Sequence, residues 1–381
     1  MNAARDILIV GGGIMGLSLA LELSRRGASV TVLCRDFKQA AAHAAAGMLA
    51  PQAEGIPPSP MLDLCLRSRA LYPEWVRKLE EITGVATGYW PCGILSPIYR
   101  TQKSVGAIHQ LPLQQSQLST WLDSDAIHKF QPGLGSDVIG GWWYPEDAQV
   151  DNRALAQALW AAAQQVGVDI REGVTVEAIE QQQGKVIGVE TSVGLICAQH
   201  YVLATGAWSN QLLPVPIYPK KGQMLSVRVP SPTNGQGNNG QDACTTREDL
   251  PLQRVLYGSE IYIVPRQDGR IVIGATSEEV GFTLDNTPAG IQSLLAGAIH
   301  LYPQLQDFPI QEFWWGFRPG TPDEMPILGT SAYENLTLAT GHYRNGILLA
   351  PITALLLADL ILQQNSDPLL NYFHYSRFEG I

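Results

Sequence analysis

Three glycines at positions 11, 13 and 16 have the spacing with which a backbone holds a diphosphate. Gly11-Gly12-Gly13-Ile14-Met15-Gly16 fits GxGxxG. The first glycine makes a tight turn, the second lets the backbone approach a pyrophosphate, and the third lets helix pack close on strand. The phosphates then meet free N–H groups at the positive end of the following helix. Context strengthens a motif that is weak alone. The apolar run Ile7-Leu8-Ile9-Val10 precedes it, the helical stretch Leu17-Ser18-Leu19-Ala20-Leu21-Glu22-Leu23 follows, and a second apolar run over residues 29–33 closes a βαβ unit. A dinucleotide site carried by Gly11, Gly13, Ile14, Met15 and Gly16 is predicted.

The second strand departs from the pattern. An Asp or Glu normally ends it and binds the ribose hydroxyls; here Cys34-Arg35-Asp36 stands there. Either Asp36 or the backbone is left to reach the ribose, and Arg35 alone would point to a 2′-phosphate and NADP. A second glycine pair frames the far end of the chain. Gly341 and Gly346 allow close backbone approach to a flat ligand, and the helix from Ile347 aims its N-terminus there. The plainer reading is a glycine-bounded turn before a core helix.

The elements that must hold these residues are legible in outline. With 45% hydrophobic residues in 381, the chain can bury a core of two or three domain-sized units. A net charge of −10 argues against nucleic acid or an anionic membrane as partner. Cys34, Cys65, Cys92, Cys197 and Cys244 are odd in number and lack CxxC pairs, so reduced thiols are expected rather than disulfides or zinc. His43, His109, His128, His200, His300, His342 and His374 show no ligand spacing, and no metal is expected. The apolar stretch 347–362 contains Pro351 and Asp359 and is too short for a membrane span. No secretory signal is seen at the N-terminus, so a soluble, cytoplasmic protein is expected.

Helices are expected over 62–81, 155–166 and 347–363. Strands are expected over 174–179 and 185–190, joined by the polar turn 181–184, and over 201–206. Ile261-Tyr262-Ile263-Val264 and Arg270-Ile271-Val272-Ile273-Gly274 flank Arg266-Gln267-Asp268-Gly269, a hairpin signal. Residues 231–249 are polar and Gly/Asn/Gln-rich, as a mobile loop would be, either a solvated insertion or a border of the pocket mouth.

Several segments resemble the D-amino acid oxidase family of FAD-dependent oxidoreductases, with the nearest likeness to its glycine oxidase branch, which serves thiamine biosynthesis. They are Ala44-Ala45-Ala46-Gly47-Met48-Leu49-Ala50-Pro51, Ala204-Thr205-Gly206-Ala207-Trp208-Ser209, Tyr262-Ile263-Val264-Pro265-Arg266, Gly274-Ala275-Thr276, Trp315-Gly316-Phe317-Arg318-Pro319-Gly320-Thr321, and the run Gly341-His342-Tyr343-Arg344-Asn345-Gly346 continuing to Pro351. The resemblance covers nearly the whole chain outside 231–249 and implies FAD. It adds Cys34, Arg35, Ala46, Gly47, Met48, Val176, Thr205, Gly206, Arg318, His342, Tyr343, Arg344, Asn345, Gly346, Ile347 and Leu348 to the expected cofactor contacts.

The resemblance also implies a substrate pocket. Arg318 is expected to hold a substrate carboxylate and Tyr262 to donate a second hydrogen bond, chemistry that a planar guanidinium fork and a phenol suit. The plainer alternative for Arg318 is a salt bridge to Glu312, Asp323 or Glu324; for Tyr262 it is a strand aromatic. Arg344 is expected at the site, touching substrate or flavin, or offering its backbone carbonyl to the substrate amine. No catalytic acid or base is named, since positioning of the substrate against the flavin carries the reaction. Ser277 and Glu260 are expected to tune preference toward a more polar or cationic amine.

The implied fold is α/β: a Rossmann-type FAD-binding domain (1–60, 145–215, 325–381) interleaved with an α+β substrate domain (61–144, 216–324) built on an antiparallel sheet. The 62–81 helix is expected on the far side of that sheet. The implied function is oxidation of glycine, and possible relatives of it such as sarcosine or small D-amino acids, with oxygen as acceptor. Alternatives are a D-amino acid dehydrogenase passing electrons to a quinone, and a non-catalytic flavin-binding protein. A homo-oligomer is left open.

Overall fold

The computed structural model describes residues 6–100, 119–230, 250–363 and 365–378. The expectation for 231–249 falls outside the described residues. The chain opens with β1 (Asp6–Val10), α1 (Ile14–Arg25) and β2 (Ser29–Cys34), then α2 (Ala41–Ala44), β3 (Met48–Leu49) and α3 (Pro60–Thr83). β4 (Ile94–Tyr99), β5 (Thr120–Asp123), α4 (Ser124–Phe130) and β6 (Val138–Tyr144) lead to β7 (Ala148–Gln149) and α5 (Asn152–Gln165). Next come β8 (Asp169–Glu172), β9 (Val176–Gln182), β10 (Lys185–Thr191), β11 (Gly194–Ile196) and β12 (His200–Leu203). β13 (Tyr218–Arg228), β14 (Val255–Tyr257), β15 (Tyr262–Pro265), β16 (Arg270–Gly274) and α6 (Pro288–Leu301) follow. β17 (Ile310–Gly320), β18 (Ile327–Thr330), β19 (Leu336–Thr340) and α7 (Gly346–Ile361) complete the regular elements.

Two large sheets organise them. The first has the order β18-β19-β12-β1-β2-β8 and is parallel except at the edge strand β18. Its central strand shows why a continuous apolar run was required. Ile7 and Ile9 enter the helical core on one face, while Leu8 and Val10 enter a second core on the other. The sheet β9-β10-β11 covers that second face. The other large sheet, β17-β13-β16-β15-β14-β4-β6-β5, is antiparallel apart from the β14–β4 pair. Strand alternation divides its residues: Ile263, Ile271 and Ile273 pack under α6, while Tyr262, Val264 and Val272 face Ala46 and Ala50. The fold is thus mixed α/β, with a parallel sheet and an antiparallel one.

The helix expected over 62–81 corrects that scheme. α3 does not back the antiparallel sheet; Met61, Leu64, Cys65, Tyr72, Val76 and Leu79 pack into the core formed with α1, α5 and α7. Polar contacts explain the choice. Ser68 Oγ donates to the Leu348 carbonyl at 2.6 Å and Tyr72 Oη to the Ile347 carbonyl at 2.5 Å. The Ile347 carbonyl needs an outside donor, because its helical partner four residues on is Pro351, which has no N–H. α6, whose Ile291, Leu294, Leu295 and Ala298 recur at helical spacing though no helix is expected there, backs the antiparallel sheet instead; Thr287 caps it and Pro288 starts it.

Tyr72→Phe is therefore expected to cost about 1–3 kcal/mol, the penalty of leaving a buried carbonyl unpaired. A lower urea midpoint at unchanged slope checks it; an unchanged midpoint would mean that another donor takes over. Among the described residues, no helix is long and apolar enough to cross a membrane.

Candidate active site

One cleft runs between the two sheets, from the turn after β1 to the inner face of β15 and β17. At its first end, Gly11 has φ +116°, and a Cβ there would lie 2.4 Å from the Ala204 carbonyl oxygen. Only glycine fits such a position. At Gly16 a Cβ would stand 1.9 Å from the Gly11 oxygen, so this glycine serves helix–strand contact and does not line the cleft. Gly13, Ile14 and Met15 do line it. Gly13 is the N-cap of α1 and gives no side-chain cap, which leaves the first amide N–H groups of the helix for a ligand.

At the end of β2, Cys34 is buried, lines the cleft, and lies where a Cβ on Gly12 would come within 2.6 Å. Burial, aided by Glu172, pushes its thiol up to about 11, so it stays protonated. Arg35 stacks its guanidinium 4.8 Å from the centre of the Trp208 ring and donates to Gln39. Asp36 accepts from the Lys38 amide at 2.9 Å, capping a short 3-10 turn.

Ala46, Gly47, Met48, Val176, Thr205 and Gly206 line the middle of the cleft. Arg266 clamps the first of these segments: its buried fork donates to the Ala46 and Val150 carbonyls and to Gln149 and Asn152, at 2.6–3.0 Å. In the sequence, a charged residue closing an apolar strand is the signal for Arg266.

The start of α7 closes the floor. His342, Tyr343, Arg344, Gly346 and Ile347 line the cleft, whereas Asn345 and Leu348 do not. Asn345 is the N-cap and makes no side-chain cap bond, so amides at this helix end also lack a protein partner from that side chain. Leu348 belongs to the helical core. His342 bonds Thr353 through Nε2 at 3.1 Å, and burial drives it down to about 3, leaving the ring neutral.

Arg318 and Tyr262 meet on the inner face of the antiparallel sheet, and both line the cleft. Burial raises the Tyr262 hydroxyl against the opposing pull of the nearby Arg318 charge, and the hydroxyl donates to Met224 Sδ at 3.5 Å. Arg318 Nη1 donates to the Thr276 carbonyl at 3.1 Å. Its guanidinium lies so close to Gly222 that a Cβ there would be 2.6 Å away. The acids proposed as structural partners are engaged elsewhere or exposed. Glu312 pairs with Arg153 and Asp323 with Arg377, each at 2.7 Å, and Glu324 is exposed. A cation is thus held in place by neutral contacts, as an anion site requires.

Ser277 and Glu260 are exposed and do not line the cleft, which corrects the expectation that they tune it. The acid at the Tyr262 end of the cleft is Glu54, with Tyr257 beside it. Both were missed; the signal for Glu54 was a lone charge at the end of the uncharged run 44–53. Among the described residues, no group of three or more His, Cys, Asp and Glu could hold a metal.

Comparison with known proteins gives the chain a family. Residues 6–360 match the model of the FAD dependent oxidoreductase family. The chain is 64% identical over 375 residues to a bifunctional protein ThiO/ThiG of Trichormus variabilis, covering 98% of this chain and 55% of that protein. It therefore spans about half the length of such curated relatives. A glycine oxidase of Bacillus licheniformis is 31% identical over 369 residues, 95% of this chain and 94% of the relative. The crystal structure of glycine oxidase from Bacillus cereus superposes with a TM-score of 0.85 at 32% identity, covering 96% and 97% of the two chains.

Proposed function

The chain belongs to the family of FAD-dependent oxidoreductases, and from that premise we propose that it oxidises glycine in the cleft between its two sheets. The products are glyoxylate and ammonia, formed by hydrolysis of the imine, with oxygen reduced to hydrogen peroxide. The imine or glyoxylate would serve thiazole formation in thiamine synthesis, a reading supported by likeness to the ThiO/ThiG proteins. The observation that carries the proposal is Arg318, a guanidinium beside Tyr262 that forms no ion pair with a carboxylate among the described residues.

The protein's residues fit FAD on their own terms. Gly11, Gly12 and Gly13 line the cleft, the last with room where a side chain would stand, and two helix N-termini offer amides without side-chain caps. FAD, when bound, supplies the acceptor for the hydride that leaves the substrate carbon. Gly13, Ile14 and Met15 would hold its phosphates, and the start of α7 its ring. Arg318 would bind the substrate carboxylate and Tyr262 donate to it, with Arg344 near the opening. Orientation of the carbon is then the main contribution of the pocket. The parallel sheet would carry the cofactor and the antiparallel sheet the substrate.

Anaerobic addition of glycine, sarcosine and D-alanine to the purified flavoprotein tests this. Glycine is expected to bleach the flavin, and admission of oxygen to restore the colour with release of peroxide. Bleaching by D-alanine but not glycine would overturn the substrate. A flavin that stays bleached in oxygen and recolours only when a quinone is added would point to a quinone acceptor.

A further inference from the structure

Glu54 enters the cleft on a backbone that the protein pins from behind. Its amide donates to the Ala50 carbonyl at 3.0 Å. The Ala53 amide donates to Asp147 Oδ2 at 2.8 Å. Arg69 ties Asp147 to Gln52, at 2.7 and 2.5 Å. The charged and titratable groups around its carboxyl come from five directions: Arg344 just before α7, Arg318 on β17, Tyr257 on β14, Tyr262 on β15, and Asp147 with Cys65 of α3 behind. Among the described residues, the Tyr262 end of the cleft thus brings Glu54 together with Arg318 and Arg344.

We propose that Glu54 is the residue that sets the charge of acceptable substrates: by offsetting one of the two guanidiniums it leaves a single positive charge for a single carboxylate, and it excludes amines that carry a second one. This deepens the reading of Arg318 as carboxylate anchor and rests on it. In a partly enclosed site, a charge pair a few ångströms apart is worth far more than in water. With Glu54 ionised, a second substrate carboxylate meets a like charge that offsets the guanidiniums. With Glu54 neutral, that repulsion is gone. Selection then works by repulsion as much as by attraction.

Burial pushes the Glu54 carboxyl up to about 7, with Arg344 pulling the other way. Its charge therefore forms as pH rises through neutrality. Rejection of a dicarboxylate should strengthen between about pH 6 and about pH 8, while the arginines stay charged throughout.

The test is a titration of the flavoprotein with acetate and with malonate, which differ by one carboxylate, followed by perturbation of the flavin spectrum. Wild type, Glu54→Gln and Arg318→Ala are compared. Glu54→Gln is expected to shift the ratio of the two Kd values toward malonate by about tenfold or more. It should also flatten the pH dependence of that ratio. In parallel, kcat/KM for iminodiacetate relative to glycine should rise. A ratio within about twofold of wild type, with Arg318→Ala still weakening acetate, overturns the proposal alone. So does a pH dependence that persists in Glu54→Gln, since Asp147 would then be its source. If Arg318→Ala leaves acetate binding unchanged, the pocket reading falls and the proposal with it.

Discussion

Gly13→Val is expected to give a folded protein that purifies without flavin. Nothing in the protein itself opposes the change. Gly13 has φ −78° and ψ −176°, an extended conformation that valine favours, and the nearest atom to an added Cβ is the Ala40 methyl at 3.8 Å. The obstruction falls on the ligand. Gly13 lines the cleft at the N-cap of α1, where a diphosphate must come within hydrogen-bond distance of the helix amides. Branched carbon there holds the phosphates away from those donors, and a loss of even 1.4 kcal/mol weakens binding about tenfold. Flavin absorbance should drop by more than about tenfold, the far-ultraviolet circular dichroism remaining that of the wild type. Gly16→Val is the contrast. Its Cβ would clash with the Gly11 oxygen at 1.9 Å, so it should fail by misfolding. Full flavin in a folded Gly13→Val protein would place the phosphates elsewhere.

The contrast between these two glycines also shows what the sequence could convey. GxGxxG announces a local geometry, and all of its consequences lie within one βαβ unit, so the parallel sheet was legible from the first thirty-odd residues. The hairpin of β15 and β16 was legible for the same reason, since alternation and its turn are local. Packing partners are not local. The stripe on α3 is apolar in the way any amphipathic helix is, and its destination depended on a carbonyl that Pro351 orphans nearly three hundred residues later. Composition hid α6, whose Gly290 and Gly297 weaken helical propensity. In the cleft, motif resemblance named Tyr262, Arg318 and Arg344, yet gave acid tuning to Glu260 and Ser277 because they adjoin motif strands. Strand neighbours need not face the same way; the ends of β14 and β16 turn both outward. Glu54 reaches the cleft because Asp147 and Arg69 hold the turn after β3, a contact no single segment contains.

Arg318→Ala is expected to raise KM for glycine steeply while flavin content holds. Removing one partner of a charge-assisted pair commonly costs about 2–5 kcal/mol, which corresponds to roughly 30-fold to 5,000-fold in KM. The structure gives reasons to expect an effect of that size. Arg318 spends one donor on the Thr276 carbonyl, and neither Glu312 nor Asp323 competes for the rest. Gly222 leaves room for the guanidinium to lie flat against β13, which fixes the fork before substrate arrives. Since the carboxylate is bound alike before and during reaction, KM should carry more of the loss than kcat. Arg318→Lys should recover only part of it, because a lysine brings the charge without the planar fork. Steady-state kinetics with glycine, normalised to bound flavin, decide the matter. A change below about threefold in KM would mean that the carboxylate is held elsewhere in the cleft, with Arg344 the next guanidinium to remove.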